Sequence, residues 1–300
     1  MSNAIQNSAR PAGIDPVPAS GRSGRRAAVA AVLLAHAWGG SCAAQAIDFL
    51  GREEGETSVA ITPYFFLPVT TTGTAAVAGL RTDVDLSGAD ILDALDFAGS
   101  LRAEVAHGDF SLILDGYFAR LGGGTTAALP EPIGGVARAD ISFEQGWVAV
   151  IGTYRVLQGS VEIPGSASGD YAVDAGAGFR FNSLHQEIDA RVDLGVEPGI
   201  QRTVGGTETW FEPTFMLRGA IALGDEWGRG ARSEIGGFGA GGNDLHWNVL
   251  LGGVYRPSEG VALRAGWQFY GIDLETVRNG RAFAYDVFQT GPYLGATVRF

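Results

Sequence analysis

Lysine is absent from all 300 residues, and cysteine occurs once, as Cys42. The 21 basic residues are therefore all arginine, scattered among 33 acidic ones, for a net charge of −12 and a pI of 4.7. A nucleic-acid partner needs clustered positive charge, so this balance excludes one. A single thiol excludes a disulfide framework and a cysteine metal site. Long apolar runs are missing too: past residue 46 no uninterrupted stretch reaches the roughly 18 residues of a membrane helix. Charge is itself scarce at 18 %, against 46 % hydrophobic residues, 46 glycines and a mean hydropathy of +0.11. Such a chain is too apolar to stay disordered, and must bury its apolar half or embed it in a membrane.

The first 46 residues read as a secretory signal peptide. Arg22, Arg25 and Arg26 precede the apolar run Ala27 to Ala37, and small residues lead to Ala44-Gln45-Ala46, the basic, apolar, A-x-A order of an export signal. Cleavage after Ala46 divides the chain into a signal at 1–46 and one domain at 47–300. It removes Cys42, four arginines and one aspartate, leaving 17 basic and 32 acidic groups.

Within the domain, hydropathy alternates with the period of a β-strand. Leu245, Trp247, Val249, Leu251 and Tyr255 share one parity, and His246, Asn248 and Arg256 the other. Leu101, Ala103 and Val105 oppose Arg102 and Glu104; Phe110, Leu112, Leu114 and Phe118 oppose Ser111 and Asp115. The same holds for Phe211, Phe215 and Leu217 against Glu212, Thr214 and Arg218, and for Val261, Leu263 and Trp267 against Arg264 and Gln268. The polar parity carries Gly, Arg, Glu and Asp, and the apolar parity ends in aromatic residues. That combination predicts an all-β, closed antiparallel transmembrane barrel, with an apolar band toward lipid, aromatic girdles and a polar interior. Closure follows because an open strand edge in lipid leaves backbone groups unpaired. A soluble, lipocalin-like barrel with the faces inverted is the alternative.

The last strand alternates Leu294, Ala296 and Val298 against Tyr293, Gly295, Thr297 and Arg299, and stops at Phe300. This resembles the terminal signature read by the barrel-assembly machinery, which makes Leu294, Val298 and Phe300 the expected assembly signal. Strands are predicted near 57–67, 74–86, 97–107, 109–121, 136–156, 171–188, 209–223, 229–239, 245–256, 261–275 and 283–300. The longer connections are placed at 122–135, 190–209 and 275–281. A single-chain barrel with both ends on one side needs an even count, so about twelve strands are expected, with ten as the alternative. Ser87 and Asp90 start a short capped helix near 88–96, with Ile91, Leu92 and Leu95 on one face.

Four stretches carry a family resemblance. Ser233-Glu234-Ile235-Gly236-Gly237-Phe238-Gly239-Ala240-Gly241-Gly242-Asn243-Asp244-Leu245-His246-Trp247 resembles the D-x-GGFG-x-GSD-x-x-W stretch of an uncharacterised proteobacterial family of outer-membrane β-barrel proteins. Val84 to Phe97, Leu114-Asp115-Gly116-Tyr117 and Gly291-Pro292-Tyr293-Leu294-Gly295 resemble it as well. The resemblance implies a barrel in the bacterial outer membrane and no agreed activity. Glu234 stands where Asp is usual, and Gln268-Phe269 where a Tyr-Arg pair is usual. By itself, the glycine run marks a bend, a bulge or a close approach of a lumen element to the wall. It neither follows a buried strand nor opens a helix, the context a phosphate-cradling loop needs.

The inward parity supplies Arg102, Glu104, Asp115, Asp174, Arg180, Glu212, Arg218, Arg232, Glu234 and Arg264 as lumen-lining candidates. Two readings stand side by side: ion-pair layers that fill the barrel, or a constriction selecting small polar solutes by charge. A narrow pore or a structural envelope protein is therefore expected, without enzymatic activity, cofactor or metal, contacting outer-membrane lipid and lipopolysaccharide. The alternative is a lipid-modifying acyl hydrolase built on Ser183, His185 and Glu187. These share one strand face, but neighbours two apart sit about 7 Å from each other, long for a direct Ser–His bond. Three histidines scattered over the mature chain make no zinc set.

Overall fold

The computed structural model describes residues 57–77, 80–128, 136–162, 169–193, 200–224, 226–258, 260–278 and 281–300. The signal expected at 1–46 lies outside the described residues. Twelve strands form one antiparallel sheet: β1 (Thr57–Phe66), β2 (Thr70–Val77), β3 (Leu80–Ser87), β4 (Leu95–His107), β5 (Phe110–Ala128), β6 (Val136–Val161), β7 (Gly169–Asp193), β8 (Ile200–Leu223), β9 (Trp227–Ala240), β10 (Asn243–Ser258), β11 (Val261–Arg278) and β12 (Arg281–Arg299). The sheet closes where β1 pairs with β12, Ala60 opposite Arg299 and Phe66 opposite Tyr293.

Twelve segments make ten staves. Both β1 and β2 run against β12, the first opposite 293–299 and the second opposite 284–290. One irregularity at Leu67 to Val69 shifts the register by a residue, so the two form one broken strand. On their other side β3 pairs with β2 and β4 with β1. The interruption between those two is α1 (Gly88–Ala94), capped by Ser87, whose hydroxyl accepts from the Asp90 amide while the Asp90 carboxylate accepts from the Ser87 amide. The expected helix ends two residues early, because Leu95 and Phe97 are drawn into the ladder opposite Leu121 and Arg120. Ten is the even number that closure demands of staves, and twelve is the number of segments.

Two expectations about connections are corrected. The strand read at 74–86 is a hairpin, with Val77 opposite Leu80. The stretches 122–135, 190–209 and 275–281 are not mainly loops: β5 pairs with β6 out to Ala128, β7 with β8 out to Val192 and Ile200, and β11 with β12 out to Arg278 and Arg281. Glycine and threonine there extend the ladders past the apolar belt. Strands β6, β7 and β8 reach 26, 25 and 24 residues, where about 9–11 cross a bilayer.

Leu101, Val105, Leu112, Leu114, Val148, Val150, Phe179, Leu217, Leu263 and Leu294 are exposed on the outer face. Aromatic pairs bound this belt at both ends. Phe110–Tyr154 and Trp227–Tyr255 stand at the end of the short turns, with ring centroids 4.8 and 4.7 Å apart. Phe97–Phe118, Phe181–Phe211 and Trp247–Phe288 stand at the other end. An apolar exterior between two girdles, over a closed ring with a buried polar interior, is a transmembrane β-barrel. Leu294, Val298 and Phe300 all face outward, and the Phe300 amide donates to the Val59 carbonyl, tying the terminal residue to β1.

Candidate functional site: the charged lumen

All the inward charges named from the sequence point into the lumen, most of them buried. They meet in layers. Nearest the short turns, Asp174 on β7 receives two arginines, Arg155 Nε at 3.1 Å on Oδ1 and Arg218 Nη2 at 2.9 Å on Oδ2. Arg218 also forks onto Glu104 of β4, Nη1 at 2.7 Å and Nη2 at 2.6 Å. This bond crosses the barrel from β8, which is not a neighbour of β4.

One layer up, Asp115 on β5 takes Arg102 of β4 through Nε and Nη2, at 2.9 and 2.8 Å, and Arg232 of β9 at 2.8 Å. The Tyr64 hydroxyl donates to its other oxygen at 2.8 Å. Arg232 pairs in addition with Glu234, two residues along the same strand. Tyr64 stacks on Tyr293 with centroids 5.0 Å apart, filling the side where the ring closes. Arg264 donates through Nε to Thr297 at 2.6 Å, below this layer. Asp174 and Asp115 thus each receive two arginines, Glu104 and Glu234 one each, and charge-assisted bonds span strands the backbone ladder does not connect.

The third layer contains Arg180 on β7 and Glu212 directly opposite on β8. Trp210 donates its indole N–H to Glu212 at 2.9 Å, Asn243 donates to the same oxygen, and His246 Nδ1 lies 2.6 Å from the other. His246 fits because residue 236 is glycine. A Cβ there would stand 2.3 Å from His246 Cε1 and 2.6 Å from the Pro213 carbonyl oxygen. The glycine run is thus both a close approach and a bulge, since Gly237, Phe238 and Gly239 have positive φ and the β9–β10 register slips between Asn243 and Leu245. Gly236→Ala should cost about 1–3 kcal/mol by overpacking, read as a lower urea midpoint of unfolding. An unchanged midpoint would mean that the ring and the wall adjust freely.

Above this layer the lumen turns apolar. Leu184, Trp210, Tyr270, Ile272, Leu274, Phe283, Tyr285 and Val287 form one buried cluster, with Phe143 against Tyr285 at 5.4 Å. Strands β7 and β8 thereby pack across the mouth onto β11 and β12.

Ser183, His185 and Glu187 lie on the outer face of β7, just beyond the girdle. The His185 Nδ1 is 2.9 Å from Thr207 Oγ1 on the neighbouring strand, and no hydrogen bond joins it to Ser183 among the described residues. Glu187 stands opposite Ser142 and Gly205. The described residues also contain no cluster of three or more metal-ligating side chains. Sequence reasoning did not single out Arg155, Tyr64, Trp147 or the Glu212–His246 contact. Arg155 shares the parity of Ala149 and Ile151 and could have been found; the partner of His246 comes from a non-adjacent stretch of sequence.

No protein-family model matches the chain, and no curated protein matches it. Solved structures similar to it are membrane barrels at low scores. The translocator domain of the autotransporter NalP from Neisseria meningitidis is 11 % identical, with 84 % of this chain and 91 % of that one covered and a TM-score of 0.34. Ail, the attachment invasion locus protein of Yersinia pestis, is 13 % identical, with 83 % and 100 % covered and a TM-score of 0.30. Neisserial surface protein A is 11 % identical, with 83 % and 100 % covered and a TM-score of 0.29. At such scores the architecture rests on the strand register of the chain itself.

Proposed function

We propose that this protein is a structural barrel of the bacterial outer membrane whose lumen is closed, without enzymatic activity of its own. The observation that carries this reading is the set of arginine forks locking opposite walls together: Arg218 from β8 holds both Asp174 and Glu104, and Arg232 from β9 reaches Asp115 on β5. A constriction that conducts must present its charges to passing water, whereas these spend theirs on one another. The apolar cluster at the mouth adds a second seal. An exported chain with this belt takes outer-membrane lipid and lipopolysaccharide as its surroundings and the barrel-assembly machinery as its partner during biogenesis.

Reconstitution of the refolded protein in planar bilayers tests the reading. Silence at about 100 mV is expected, on the ground that ordered ion-pair layers leave no water column. Steady unitary currents would refute it. If those currents became more cation-selective on neutralising Arg102, Arg218 and Arg264, the pore reading would replace it.

A further inference from the structure

Arg180 is the layered arginine whose guanidinium fork meets no acceptor among the described residues. Its side chain is 1 % exposed. It crosses the lumen from β7, stacking on the Trp147 ring of β6 at 4.1 Å and reaching the Tyr270 ring of β11 at 5.6 Å. Among the described residues none of its three guanidinium nitrogens makes a well-aligned hydrogen bond. Glu212, the carboxylate opposite, is already engaged by Trp210, Asn243 and His246. In the other two layers every arginine donates to a carboxylate, Arg155 and Arg218 to Asp174 and Glu104, and Arg102 and Arg232 to Asp115 and Glu234, whereas Arg180 faces Glu212 without bonding to it.

Further donors point the same way. Asn182 Nδ2 and Thr214 Oγ1, the next inward positions to Arg180 on β7 and to Glu212 on β8, are buried and lack partners, as does the Tyr270 hydroxyl. Buried polar groups are almost always satisfied, and a buried guanidinium most of all, because leaving its fork unmade forfeits the full desolvation penalty. A planar fork flanked by hydroxyl and amide donors is complementary to an oxyanion, which it binds through two parallel N–H···O bonds.

We infer that the Arg180 layer holds one small oxyanion of the carboxylate or phosphate class, taken up as the barrel closes and retained as part of its interior. The anion supplies the acceptors that Arg180, Asn182, Thr214 and Tyr270 otherwise lack. Above it the apolar cluster, and below it the Asp115 layer, separate it from both ends. Retention of the ion rests on the closed-lumen reading; a conducting barrel would bind the same ion and exchange it.

The test refolds the protein from urea with sodium acetate, sodium phosphate or sodium chloride at equal ionic strength, so that the site assembles around the anion. The thermal midpoint of each sample is then measured by heat-modifiable gel mobility. Acetate or phosphate should raise the midpoint by at least about 2–4 °C over chloride, and the more effective of the two identifies the class. Arg180→Gln should abolish that difference. Arg180→Lys, which keeps the charge but not the planar fork, guards against a folding failure and should lose the preference for oxyanion over chloride. Midpoints indifferent to the anion would overturn the proposal and mean that water alone serves these donors. So would an oxyanion shift equal in wild type and both variants.

Discussion

Asp174→Ala should be among the most damaging single substitutions in the protein, lowering stability by about 3–5 kcal/mol. The carboxylate is fully buried and receives Arg155 and Arg218 on its two oxygens. Its removal leaves two guanidinium groups confined in a low-dielectric interior with Glu104 alone to answer them. A domain with about 5–15 kcal/mol in total would lose a large share of its margin. Urea titration with heat-modifiable mobility as the readout should show a markedly earlier transition. Replacing Asp174, Arg155 and Arg218 together by apolar residues of similar volume should recover much of the loss, since a complete apolar layer leaves no orphaned charge. A single variant within about 1 kcal/mol of wild type would show that the layer is wet and loosely held.

The second large effect is expected on the outer face. Leu112 is 55 % exposed on β5 between the Phe110 and Phe118 girdle positions, and Val249 lies on the outer parity of β10. Leu112→Arg or Val249→Arg should cost about 2–4 kcal/mol in lipid, because the charge must be dragged to an interface or solvated within the bilayer. Thr126→Arg, on the same parity of β5 but beyond the girdle, should stay within about 0.5 kcal/mol. Folding free energies in lipid vesicles check the contrast. Equal costs at positions 112 and 126 would mean that the belt is misplaced.

Which parts of this molecule could be read from its sequence follows from the range of the interactions. Period-two alternation is local, so the sorting of Leu112 outward and Asp115 inward, or of Val249 and Asn248, was legible. So were the His107-Gly108-Asp109 turn, where Gly108 adopts positive φ, and the Ser87–Asp90 capping box. The hairpin of β2 and β3 was not, because between Ala75 and Leu80 only the single Gly79, in a chain with 46 glycines, marks where the chain reverses. The join of β1 to β2 at Leu67 to Val69 is visible only in the register against β12. Strand extensions at Gly122 to Ala128 and Ala190 to Asp193 read as loops in the sequence because polar, glycine-rich segments lose the hydropathy signal once they leave lipid.

The lumen charges were legible as a set but not as partners. Glu104 and Arg218 are 114 residues apart, and Asp115 and Arg232 are 117 apart. Pairing across the barrel depends on stagger and closure, which the alternation within one strand does not contain. The glycine run illustrates the same limit. A close approach to the wall was foreseeable from the absence of side chains at Gly236, Gly237 and Gly239, whereas the identity of the approaching group, His246, required the β9–β10 register.

Thiol labelling inside the barrel tests the closed lumen most directly. Ala149 on β6 points inward at 1 % exposure, between the Ile151 and Trp147 positions. Residues 47–300 contain no cysteine, so in a protein produced without residues 1–46 Ala149→Cys introduces a single thiol, and Thr126→Cys provides a water-exposed reference. With the protein folded in vesicles, a small charged methanethiosulfonate reagent should modify residue 126 within seconds and leave residue 149 unmodified until the barrel is unfolded. Comparable rates at the two positions would place a water-filled channel through the ion-pair layers and the apolar cluster at the mouth, and would contradict the sealed barrel.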